Sequence, residues 1–182
     1  MTRLDGVLLR LAAGCTAFVS ASALAQVQSN TCVAAVDGPH QGVHSQFDGS
    51  ADAVAWPPNH KMHTVRISAV NEDGDECNVT ITDVRQDEAL NGLGDGNTSP
   101  DAANCDNGGN ESTVDVRGER SGVGTGRYYH VMYTMDDPDA PMSPAAGDAR
   151  VLVPHDQGIK KVWVDEGPLF ASYEGAALAC SQ

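Results

Sequence analysis

Apolar residues recur at every second position through much of the chain. From His63 to Val70, Val65, Ile67 and Ala69 alternate with Thr64, Arg66 and Ser68, and from Cys77 to Val84 the inward set is Cys77, Val79 and Ile81. The same period returns at Val114 and Val116, at Tyr129, Val131, Tyr133 and Met135, and at Ala149, Val151 and Val153. Successive side chains of a strand point to opposite faces, so this period predicts half-buried strands. A shorter run, Lys161 to Val164, predicts an edge strand, and Ala171 to Ala179 predicts a short helix. Antiparallel strands with one polar face, closed by turns, predict an all-β fold, an antiparallel β-sandwich.

Two stretches break the pattern. Residues 26–55 are polar and Gly-rich and read as an amino-terminal extension, held by Cys32. Asp87 to Glu111 reads as a loop far longer than a hairpin needs, and such loops carry function more often than short ones. Within it, Asn91 to Asn110 holds five Gly, five Asn and three Asp, which supply backbone freedom and many side-chain oxygens.

Composition sharpens this picture. The 182 residues include 25 Asp and Glu against 11 Lys and Arg, a formal charge of -14. That surplus repels phosphate backbones and anionic lipids, which argues against nucleic acid as a partner and leaves cations as natural ones. Arg3 and Arg10, the apolar stretch Leu11–Leu24 and the small residues of Ala23-Leu24-Ala25 predict a signal peptide over residues 1–25; lipid attachment at Cys15 is the competing reading. Beyond Ala25 no apolar run is long enough to span a bilayer. One acid and two bases lie in those 25 residues, so the remainder carries 24 acidic and 9 basic residues and four cysteines. An even count in an exported chain predicts two disulfides. Of the three possible pairings, Cys77 with Cys105 and Cys32 with Cys180 is favoured, the first closing the long loop and the second tying the ends together.

Four motifs occur in order: Trp56-Pro57-Pro58-Asn59-His60-Lys61-Met62, the run from Asn91 to Asp101, Arg117-Gly118-Glu119-Arg120-Ser121-Gly122 with Gly126-Arg127, and Val153-Pro154-His155-Asp156-Gln157. Together they resemble the immunoglobulin-like, hyalin-repeat-like modules of bacterial secreted and surface proteins, over about residues 56–158. The resemblance implies an immunoglobulin-like sandwich at 56–158, a carboxy-terminal strand and tail at 159–182, and a role in adhesion, spacing or display toward an extracellular protein or glycan. It implies no enzymatic activity. Where such modules place a Thr-Asp, small residue, Gly-Asn turn, this chain has Asp136-Asp137-Pro138-Asp139-Ala140-Pro141, a stiffer and more acidic turn.

Three chemistries are candidates for these residues. Asp95, Asn97, Ser99, Asp101 and Asp106 fall near positions 1, 3, 5, 7 and 12 of a calcium loop, which needs six to eight oxygens. Pro100 at position 6 and Asp at position 12 depart from an EF-hand, so a different geometry is expected, with Glu88 or the Asp136–Asp139 turn, Asp137 among them, completing the shell. The plainer alternative is that Asn and Asp cap their own turns. Second, His60, Met62, His63, His130 and Met132, with Met135 and Met142, combine imidazole and thioether in a way that suits copper in a small periplasmic protein. His63 is equally explained as a histidine at the core margin, and Met135 has core parity. Third, Ser121 and His155-Asp156-Gln157 contain catalytic residue types, but the chain has no Gly-x-Ser-x-Gly elbow, His-Glu-x-x-His helix or phosphate loop. Trp56 is expected to plug one end of the core, and Arg117, Arg120 and Arg127 to pair with carboxylates.

Overall fold

The computed structural model describes residues 29–39, 51–156, 162–175 and 177–181. The expected signal peptide, with Cys15, lies outside the described residues. Ten strands form: β1 (Val33–Asp37), β2 (Ala53–Val54), β3 (Met62–Val70), β4 (Asn78–Gln86), β5 (Ala102–Asn107), β6 (Glu111–Arg117), β7 (Gly126–Asp136), β8 (Ala145–Pro154), β9 (Phe170–Ala171) and β10 (Cys180–Ser181). They make two five-stranded sheets, in the orders β1-β3-β6-β5-β10 and β2-β8-β7-β4-β9. All pairs are antiparallel except the short edge pairs β2–β8 and β5–β10, so both sheets are mixed. Among the described residues no helix is long and apolar enough to cross a membrane.

The predicted inward residues build the core. Val65, Ile67 and Ala69 of β3 and Val114 and Val116 of β6 pack against Val79, Ile81, Tyr129, Val131, Tyr133, Met135, Ala149, Val151 and Val153 of the other sheet. Strand β4 changes parity partway. Its ladder with β7 slips between Ile81 and Asp83, and this bulge turns Val84 and Gln86 inward after Val79 and Ile81.

Several expected boundaries move. The stretch read as an amino-terminal extension supplies β1, paired along its length with β3, and β2, paired with β8. The stretch read as one long loop contains β5, which pairs with β6. Residues 162–164 lie outside any strand and 171–179 hold no helix among the described residues. The disulfides are Cys32–Cys77 and Cys105–Cys180, which corrects the favoured pairing. The reason is topological: β1 lies beside β3, whose end leads to Cys77, and β10 lies beside β5, with Cys180 opposite Cys105.

The first half of β7 is buried on both faces. Tyr129 and Val131 face the sandwich core, while Tyr128 and, on β8, Leu152 face outward into a second small cluster with Ala51 and Trp163. Residues 162–169 thus cross the outside of the second sheet as a strap before β9 joins β4.

Candidate functional site

At one end of the sandwich the four motifs meet. Arg127, second residue of β7, shares the inward parity of Tyr129 and Val131 and is fully buried. Its guanidinium donates to Asp101 Oδ2 at 2.5 Å, to Glu88 Oε2 at 3.1 Å and to the Tyr129 hydroxyl at 3.3 Å, and lies 3.8 Å from Asp95 Oδ2. Gln86, turned inward by the β4 bulge, donates from Nε2 to the same Asp101 oxygen at 2.9 Å. Burial alone lowers the pKa of Arg127, but Tyr129, Asp101 and Glu88 outweigh it and the pKa rises, so the charge is fixed. Burial pushes Asp101 up to about 6 against the pull of Arg127 and Gln86.

A second layer surrounds this centre. Glu119 is buried and accepts from Thr98 Oγ1, and its Oε2 pairs with His60 Nδ1 at 2.8 Å. His60 has φ 63° and its ring leaves no room beside Gly96, where a Cβ would sit 2.7 Å from His60 Cε1. Gly96 itself has φ +93°, which only glycine adopts without strain. Arg117 donates to the carbonyls of Pro100 (2.6 Å) and His60 (2.9 Å). Arg120 reaches the carbonyl of His155 at 3.2 Å, and the His155 ring lies 3.3 Å from the Gly122 carbonyl. Ser121, a candidate nucleophile by type, donates from Oγ to the Leu93 carbonyl and from its amide to Glu88.

This geometry sorts the calcium candidates. Glu88, Asp95 and Asp101 do converge, but on the guanidinium of Arg127, an internal cation already among them. Asn97 only donates its amide to Asp95 Oδ1, at 3.0 Å, in a local turn. Asp137 belongs elsewhere: the ten residues from Arg127 along β7 span about 33 Å. There its carboxylate accepts from the Thr31 amide, Asn71 and the Asp139 amide, and the Thr31 bond holds its pKa low. The five candidates therefore cannot share one ion. Among the described residues, the group of three His, Cys, Asp or Glu ligand atoms within 4.8 Å of one another is Cys32, Cys77 and Asp137, and those two sulfurs are joined in a disulfide. With the Arg127 guanidinium among them, Glu88, Asp95 and Asp101 do not fit a resident calcium ion.

The copper candidates are scattered. His60 and His63 lie at the start of the β3 side, whereas His130 and Met132 are on the outer face of the other sheet. His130 engages both ring nitrogens, Nδ1 with Asp148 at 2.8 Å and Nε2 with Asp165 at 2.9 Å. Burial opposes its charge, but the bonds to Asp148 and Asp165 outweigh that and raise its pKa. An imidazole held by two carboxylates donates from both nitrogens and has no lone pair for a metal. Met135 is in the core and Met142 is exposed.

The sequence gives no role to Gln86, Thr98 or Glu119; the expected pairing of Arg127 with carboxylates is present, with Asp101 and Glu88, but its burial was not foreseen. One signal for Arg127 was present: it stands two residues before Tyr129, at core parity, where a charge demands internal partners. Comparison with protein-family models, curated proteins and solved structures returned no match.

Proposed function

We propose that the protein is a non-catalytic β-sandwich module acting outside the cytoplasm in adhesion, spacing or display, with an internal arginine among the carboxylates that were candidates for calcium. The observation that carries this reading is the end cap, where His60, Asp101, Arg117, Glu119, Arg127 and His155, drawn from all four motifs, bond one another or neighbouring backbone around Arg127. Groups held this way stiffen a scaffold, whereas catalysis needs a nucleophile and base aimed at a substrate. The two disulfides support an oxidising compartment, and the resemblance of the motifs to modules of secreted and surface proteins agrees with it. Copper binding, the other class considered, loses support because His130 has both nitrogens engaged.

Thermal melting separates these readings. The melting temperature is expected to stay within about 2 °C on adding calcium, copper or EDTA, since a ligand at a hundred times its Kd would stabilise by about 2.7 kcal/mol. A calcium-dependent rise of several degrees would refute the arginine-centred cap, and a copper-dependent one would favour the metal-binding class. Binding of the immobilised oxidised protein to a panel of extracellular glycans and surface proteins tests the adhesive role. Saturable binding that is lost on reduction supports it; saturable turnover of any panel member would overturn it.

A further inference from the structure

The strap across the second sheet rests on titratable groups. Trp163 is 8% exposed and covers Tyr128 and Leu152, which are fully buried although they point away from the sandwich core. Two residues on, Asp165 Oδ1 pairs with His130 Nε2 and also accepts the Gly167 amide at 2.8 Å, which fixes the carboxylate in place. Beneath the next residue, Asp87 is 5% exposed and accepts from the Tyr128 amide at 2.9 Å and from the Glu166 amide. The far end of the strap is held without titration: Arg85 donates to the carbonyls of Pro168 (2.9 Å) and Leu169 (3.0 Å), and β9 then pairs with β4.

The charges around His130 come from every neighbour. On β8 it faces Asp148 and, directly opposite, Arg150, whose amide is bonded by Asp52. On β4 it lies opposite Arg85, which is 3.7 Å from Asp83. The strap adds Asp165 with Glu166 beside it. Both arginines are committed elsewhere or lie in register rather than in contact with Asp165, so the His130 proton is what binds that carboxylate to the sheet. Asp87 is flanked by Glu88 and Asp165, both of which oppose its ionisation.

We infer that residues 162–167 form a pH-gated strap, closed over Tyr128 and Leu152 while His130 and Asp87 carry protons and opening as they lose them. The two groups act in the same direction. Closing surrounds the His130 charge with a second carboxylate, so the closed form holds that proton more tightly; by linkage, removing the proton favours the open form. Closing also removes Asp87 from water and sets it beside Asp165, and burial outweighs the Glu166 amide bond that favours the ionised form, so the closed form favours the neutral acid and ionisation favours opening. Burial has pushed Asp87 up to about 6, and His130 is raised above its ordinary 6.5, so the gate begins to open near pH 6 and opens further above 6.5. Opening is local, because Arg85, β9 and the Cys105–Cys180 disulfide retain everything beyond residue 168.

Hydrogen exchange of the oxidised full-length chain, read by mass spectrometry at pH 5.5 and pH 8.5 and corrected for intrinsic exchange rates, tests this. Protection of the 163–167 amides is expected to fall by more than about fourfold between the two conditions, fourfold being what Asp87 alone contributes when its pKa of about 6 returns to 3.8 on opening. Amides of β7 and β8 serve as the control: they should stay better protected than those of 163–167 at both pH values, as a local opening of the strap requires. In His130→Gln the fall should shrink to the part due to Asp87. Asp165→Asn makes the same test from the strap side if the first variant does not fold, and should likewise flatten the response. Equal protection of 163–167 at both pH values, or an undiminished fall in either folded variant, would overturn the proposal.

Discussion

Arg127 is the residue on which the end cap depends. Its charge is removed from water completely, and it is tolerated only because Asp101, Glu88 and the Tyr129 hydroxyl bond it. Replacing Arg127 with Met keeps the volume but strands several carboxylates. Removing one partner of a buried ion pair costs about 3–5 kcal/mol, so Arg127→Met should lower the unfolding free energy by that much in a denaturant titration. The matched control is Arg66→Ala, which breaks a pair with Glu111 in which both side chains are nearly half exposed. That change should cost under about 1 kcal/mol. Equal losses in the two variants would show that burial of Arg127 contributes nothing special. Asp101→Asn on the Arg127→Met background should recover part of the loss, because it removes the carboxylate that the missing guanidinium leaves behind.

At the scale of elements, the disulfides decide how the chain ends are held. Cys32–Cys77 ties the approach to β1 to the start of β4, and Cys105–Cys180 ties the terminal β10 to β5. Digestion without reduction should release one peptide pair for each, and no pair joining Cys77 to Cys105. Cross-links that close 45 and 75 residues restrict the unfolded chain strongly. Replacing Cys105 and Cys180 together by Ala should therefore cost about 2–4 kcal/mol in the same titration, with loss of protection confined first to β9 and β10. The central strands are legible in the sequence alone, because a half-buried strand writes its period directly into the residues: β3, β6, β7 and β8 all use the predicted inward positions. The edge elements are not. Strands β2, β9 and β10 are two residues each and β1 is five, too short for a period to show, and their pairing is chosen by partners distant in sequence. The strap was hidden for a related reason. Tyr128 and Leu152 read as outward positions, and only the crossing of 162–169 reveals what covers them. The candidate site is half legible: of the five calcium candidates Glu88, Asp95 and Asp101 gather round a cation while Asn97 and Asp137 do not, and an oxygen-rich loop looks the same whether the cation is a metal or a guanidinium on another strand.

For the whole molecule, the unusual titrations combine into an unusual pH profile. Most small proteins lose stability in acid because carboxylates that are paired in the folded state become protonated. Here Asp87 and Asp101 are raised by burial from 3.8 to about 6, so between those values the folded protein holds protons that the unfolded chain has released. Stability therefore falls as pH rises from about 4 to about 6, and that contribution is complete only below the unfolded pKa. His130 extends the same slope above 6.5, since its raised pKa favours folding while it is charged and the gain is lost as pH passes through the folded value. Relief of self-repulsion at a net charge of -14 works in the same direction, because each protonated carboxylate weakens it. Asp137 opposes them: its lowered pKa gives stability above 3.8 that is lost as pH falls further. The balance predicts a melting temperature that is highest at about pH 4–5 and declines toward pH 8. Melts at constant ionic strength from pH 3 to pH 9 check this directly, and a melting temperature that climbs steadily from pH 4 to pH 7 would contradict it. His130→Gln should flatten the profile above pH 6 and leave the lower slope, which belongs to Asp87 and Asp101, in place.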